Sequence, residues 1–119
     1  MAQALVGNFV HKPASIVIST STTVSGAVDC LGLVLLGIVM PASWTAATLS
    51  FTGDYGDGTF RPLYDEDGTQ IVWSGAAVDR ILLALSTTLV GGLKQIKVVA
   101  SAGQAADRTL QLIFGVVNP

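Results

Sequence analysis

Charge is what this sequence has least of. Only 12% of its 119 residues are Asp, Glu, Lys or Arg, against about 25% in an ordinary soluble domain. So sparse a charge leaves uncharged surface that another subunit can cover. The expectation is a homo-oligomer, or permanent attachment to a larger assembly. The six basic residues, Lys12, Arg61, Arg80, Lys94, Lys97 and Arg108, are scattered. Nucleic-acid binding needs a basic stripe, so no nucleic-acid partner is expected. Cysteine occurs once, at Cys30, which excludes an intramolecular disulfide. Its neighbour Asp29 disfavours a thiolate, so Cys30 reads as a small buried hydrophobe beside Leu31. Histidine also occurs once, at His11. Any Ser-His-Asp system would have to use it, yet it stands beside Lys12 with no nucleophile-elbow glycines. No phosphate loop, dinucleotide-binding glycine pattern or Cys/His metal spacing is present. No catalytic residue, cofactor or metal is expected, and the chain does not read as an enzyme.

A membrane-length apolar run is missing too. Residues Cys30 to Phe51 carry no charge, and their densest part, Leu31–Met40, is LGLVLLGIVM. That is about ten residues where about 20 are needed to span a bilayer. Pro41 ends the run, and Ser43, Thr45, Thr48 and Ser50 follow. No basic segment directly precedes it, as a signal peptide would require. No membrane partner is expected.

What the sequence does have is turn punctuation between short apolar segments. Trp44 to Gly68 contains two Asp-Gly pairs, Asp57-Gly58 and Asp67-Gly68. Such pairs flanked by alternating apolar residues are strong hairpin signals. Segments with strand character follow one another at roughly 10-residue spacing: 15–20, 33–39, 47–52, 59–65, 70–74, 80–85, 94–101 and 108–117. This predicts a single all-β domain, an antiparallel β-sandwich of jelly-roll type with about eight strands. Residues 1–14 read as an extended N-terminal arm and 15–119 as the sandwich. Leu33–Val39 is continuously apolar, as in a strand covered on both faces. The pattern puts Ile81, Leu83 and Leu85 on one side of their strand, and sets Ile96, Val98 and Ala100 against Gln95, Lys97 and Ser101. It also predicts Leu110, Leu112, Phe114 and Val116 facing the core. Ser86–Leu93 reads as a short helical turn broken by Gly91-Gly92, and Pro62 marks an edge or bulged strand.

The acidic residues Asp54, Asp57, Asp65, Glu66 and Asp67 offer hard oxygen ligands of the kind calcium takes. The calcium-loop pattern with its distal Glu is absent, and Asp and Gly are what tight turns demand. Turn chemistry is the preferred reading. Among the aromatics, Tyr64 and Trp73 align with apolar strand partners and are expected in the core. Tyr55, at a hairpin tip, and Trp44, at a corner after Pro41, are expected to be exposed. With Phe9 and Val10 of the arm, and Leu33 and Leu35 of the apolar run, they form the candidate contact set.

Three segments carry a family resemblance: GLVLLGIVMPASWTAATLSF (32–51), DGTFRPLYDEDG (57–68) and QAADRTLQLI (104–113). Together they resemble small virion accessory proteins of tailed phages and prophages, over roughly Val24 to Phe114. The resemblance implies a β-sandwich subunit, such as a head decoration (cement) protein or a fibre-base protein, with no catalytic residues. It implies a place in the virion, most simply on the outer capsid surface. The partners would be copies of itself, a trimer being favoured, and the major capsid protein or another virion protein. The alternatives are a carbohydrate- or receptor-binding module of a fibre or spike, and a tail or head-completion component.

Overall fold

The computed structural model describes residues 10–85 and 88–116. Nine strands are present: β1 (Val10–Ile18), β2 (Val28–Asp29), β3 (Val34–Val39), β4 (Leu49–Asp54), β5 (Arg61–Pro62), β6 (Val72–Trp73), β7 (Ile81–Leu83), β8 (Gln95–Ala100) and β9 (Arg108–Val116). All pairings are antiparallel. One sheet runs β1-β9-β3-β7; the other runs β2-β8-β4-β5, with β6 also pairing to β4. Strands β5 and β6 share one edge of β4 in succession, at Thr52–Gly53 and Leu49–Ser50. Without β6 the order is that of an eight-stranded jelly roll, two facing sheets with each strand's neighbours drawn from far along the chain. The fold is the expected all-β sandwich.

Period-2 patterning decides most of this. In β8, Ile96, Val98 and Ala100 are buried while Gln95, Lys97 and Val99 are half-exposed. In β9, Leu110, Leu112 and Phe114 turn inward. They meet Ile16, Ile18, Leu35, Ile38 and Met40 of their own sheet, and Leu49, Phe51 and Trp73 of the facing one. Phe51 and Trp73 pack edge to face, with ring centroids 5.2 Å apart and planes at 71°. The Trp73 indole N–H donates to the Thr88 carbonyl at 3.2 Å, so the ring is buried with its polar atom satisfied.

Four expectations change. First, β1 begins at Val10, pairing Val10–Ala14 with Val116–Leu112. Residues 10–14 of the expected arm are therefore strand, and residues 1–9 lie outside the described residues. Pro13 is tolerated because β1 is an edge strand. Second, within the described residues only one face of Leu33–Val39 meets the core. Leu35 and Ile38 are buried, and Val34, Leu36 and Val39 are half-exposed. A bulge between Leu35 and Gly37 shifts the register so that both Leu35 and Ile38 reach the core. Third, no helix occurs in residues 88–93. Val90 instead bridges to Leu35 and is buried, with Leu35 N–H donating to the Val90 carbonyl at 2.8 Å. Ser86 and Thr87, the start of the expected turn, lie outside the described residues. Fourth, a short strand at Val28–Asp29 pairs with β8. Nothing in the alternation marked it.

Gln104 holds a corner that sequence patterning passes over. It is buried. Its side-chain oxygen accepts from Thr45 N–H at 2.8 Å, and its amide donates to the Thr45 carbonyl at 3.0 Å. Arg108 Nε donates to the same oxygen at 3.3 Å. This tether fixes the loop after Pro41, and with it Trp44, against the start of β9.

Candidate interaction surface

The loop joining β4 to β5 is built on carboxylates. Asp54 is buried at the end of β4. One of its oxygens accepts from the N–H of Gly56 at 2.7 Å and of Gly58 at 3.0 Å. Gly56 and Gly58 have φ of 126° and 82°, conformations in which a side chain is strained. Asp57 accepts from Thr59 N–H at 3.0 Å and pairs with Arg61 at 2.9 Å. The Arg61 guanidinium, and next the Thr59 N–H, hold the Asp57 carboxyl below its ordinary range. Arg61 also lies 5.8 Å from the centroid of the Tyr55 ring. Tyr55 thus stands on a braced tip with 70% of its surface exposed. The second turn repeats the device: Asp65 accepts from Asp67 N–H and Thr69 N–H, both at 2.9 Å.

Three of the five acidic candidates thus serve as backbone acceptors that close turns. Asp54, Asp57 and Asp65 each spend a carboxylate oxygen on local N–H donors, as turn chemistry requires. Among the described residues no group of three or more His, Cys, Asp or Glu converges as a metal site would.

A second surface lies on β7, the free edge strand of the four-stranded sheet. Ile81, Leu83 and Leu85 are 58%, 73% and 67% exposed. Sequence patterning puts them on one side of the strand, and the structure shows that side to be the outer one. Residues opposite one another in a ladder share a face, and Leu82 lies opposite core residue Ile38. Leu82 and Ala84 therefore pack on the core and their neighbours face out. The segment ILLAL is apolar in both phases, so alternation alone has no preference. Beside this edge is a cleft of about 380 Å³. It is lined by Trp73, Gly75, Arg80, Leu82, Leu83 and Leu85 among others.

The contact candidates drawn from sequence do not converge on one site. Tyr55 is exposed as expected. Trp44 is half-buried, with its indole N–H donating to the Ala47 carbonyl at 3.3 Å. Leu33 is half-buried against the core. Leu35 is fully buried and has no surface to offer a partner, because the bulge turns it inward. Val10 opens β1 opposite Val116, and Phe9 lies outside the described residues. Tyr64, expected in the core, is 56% exposed. The inward residue of that strand is Leu63, whose N–H donates to the Phe51 carbonyl at 3.1 Å, so Tyr64 falls on the outer face. Cys30 is buried, and burial, with Asp29 adding, pushes its thiol up to about 11. That is an inert thiol.

No protein-family model matches the chain, and no curated protein does. Solved structures do. The chain is similar to the SPBc2 prophage-derived protein YomS, with a TM-score of 0.54 and 12% identity over 90% of this chain and 96% of that one. It is also similar to a chain of the Bacillus endospore appendages, described as disulfide-linked pili, at a TM-score of 0.47 and 10% identity over 94% and 90%. A third is a chain of the cyanophage Pam1 capsid asymmetric unit, at 0.46 and 18% over 94% and 86%. The likeness to YomS, over nearly the full length of both chains, is one of fold.

Proposed function

We propose that this protein is a structural subunit of a tailed-phage virion, a decoration (cement) protein seated on the outer capsid surface. The observation that carries this reading is the apolar strip Ile81, Leu83 and Leu85, more than half exposed along one edge strand of the jelly roll. An apolar strip on a chain with this little charge suits a protein that works attached to others. The resemblance of segments 32–51, 57–68 and 104–113 to virion accessory proteins supplies the class. YomS supports the fold on which the reading stands. The mechanism is mechanical. Non-covalent contacts across neighbouring major capsid protein subunits raise the cost of separating them. Residues 1–9 and the braced tip at Tyr55 are the parts available to reach those subunits. The exposed Tyr55 also favours a second reading, a glycan- or receptor-binding module on a fibre.

The test uses capsids of the parent phage assembled without this protein. Purified full chain added back should bind saturably at hundreds of copies per head and raise the temperature at which heads rupture. Removing residues 1–9 should weaken binding while leaving the circular-dichroism spectrum unchanged. The deletion must stop there, since residues 10–14 are paired in β1. Absence of saturable binding by the full chain would rule decoration out.

A further inference from the structure

The edges of the two sheets are not alike. Strand β1 carries Pro13, β5 is Arg61–Pro62, and β2 is two residues long and carries Asp29. Proline, charge and shortness are the usual devices that stop an edge from pairing with another chain. Strand β7, Ile81-Leu82-Leu83, has no proline and no charge. Its ladder to β3 uses the Arg80 carbonyl, which accepts from Met40 N–H at 2.8 Å, and the Ala84 N–H, which donates to the Leu36 carbonyl at 2.9 Å. Leu82 is therefore the residue that exchanges hydrogen bonds with Ile38. The N–H and C=O groups of Ile81 and Leu83 point the other way, off the free edge. None of them has a backbone partner beyond the strand ladders among the described residues.

We infer that this edge pairs with the same edge of a second copy, antiparallel, about a two-fold axis through Leu82. The second copy fits because the edge is complementary to itself. With Leu82 opposite its counterpart, Ile81 faces the partner subunit's Leu83, and Leu83 the partner's Ile81. All the outward groups of both residues then enter hydrogen bonds in register. Their side chains share the outer face and cover one another. No like charges meet, since Arg80 falls opposite the partner's Ala84 and Asp79 opposite the partner's Leu85. The axis stands perpendicular to the sheet, so both five-stranded sheets lie on the same side of the joined eight-stranded sheet. The clefts beside β7 then face each other, and exposed Val72 and Leu85 are covered with the strip. The resemblance to virion accessory proteins favours a trimer; this edge specifies a two-fold contact.

Sedimentation velocity on the full chain tests this. The chain should run as a dimer at micromolar concentration. Leu83→Lys places a charge at an exposed position and should give a folded monomer, at least tenfold weaker in association. Val17→Lys, on the outer face of the opposite edge strand, should remain dimeric, and so should a chain lacking residues 1–9. An Ile81→Cys, Leu83→Cys double variant should form a covalent dimer under mild oxidant, with buried Cys30 taking no part. A monomeric or trimeric full chain, an unchanged Leu83→Lys dimer, or loss of the dimer with residues 1–9 would each overturn the assignment.

Discussion

At the scale of single residues, several side chains of this chain hold backbone or sit inert in the core. Cys30 is the clearest case. Burial first, and the Asp29 carboxylate second, push its thiol up to about 11. The folded state therefore keeps the proton that an unfolded thiol releases at lower pH. Stability from this group is fully present below the unfolded thiol's pKa and is lost as pH rises through the folded value. Urea unfolding of the wild-type chain and of Cys30→Ala should show the pair diverging in slope between about pH 8.5 and 11, wild type falling faster. Parallel curves would mean the thiol is not held neutral. Residue-level reading of the sequence succeeds where local chemistry decides. The Asp-Gly turns were legible because each carboxylate serves amides two to four residues away. It fails at Tyr64, whose exposure depends on Leu63 pairing with Phe51. It also passes over Gln104, which acts on Thr45 fifty-nine residues away.

At the scale of elements, the strands with polar residues on one face were legible, and those apolar on both were not. Strands β8 and β9 follow their alternation; in β7 the alternation groups Ile81, Leu83 and Leu85, but because ILLAL is apolar in both phases it does not say which side faces the core. Its phase is set by β3 across a single glycine. A Cβ at Gly37 would sit 2.6 Å from the Leu82 carbonyl oxygen and 3.2 Å from Leu83 Cδ2. The carbonyl belongs to backbone and cannot give way without moving β7. Gly37→Ala should therefore cost about 1–3 kcal/mol. It should also loosen β7 specifically. Hydrogen exchange should quicken at the Leu82 and Ala84 amides before it does in the β1–β9 ladder. Uniform exchange across both would show that β7 is not held through Gly37. The start of β1 was hidden for a similar reason: Pro13 reads as a strand breaker, and only its edge position makes it acceptable.

At the scale of the whole molecule, the low charge noted in the sequence becomes a place in the structure. The inner faces of the two sheets supply an ordinary core, and apolar residues also emerge on the surface, among them Ile81, Leu83 and Leu85 on the β7 edge and Val72 beside its cleft. The sandwich closes its turns with its own carboxylates, and among the described residues its β7 edge is left unpaired, as the proposed attachment to other subunits requires. The proposed place in a phage particle rests on a resemblance of three segments. Patterning yields the fold and the excess of uncharged surface, but not the identity of the neighbour. The account is tested most directly by the position and copy number of this protein in the intact parent particle, measured by cryo-electron microscopy. Decoration predicts hundreds of copies spread over the outer face of the head. A handful at one vertex, on the tail or on a fibre would contradict it.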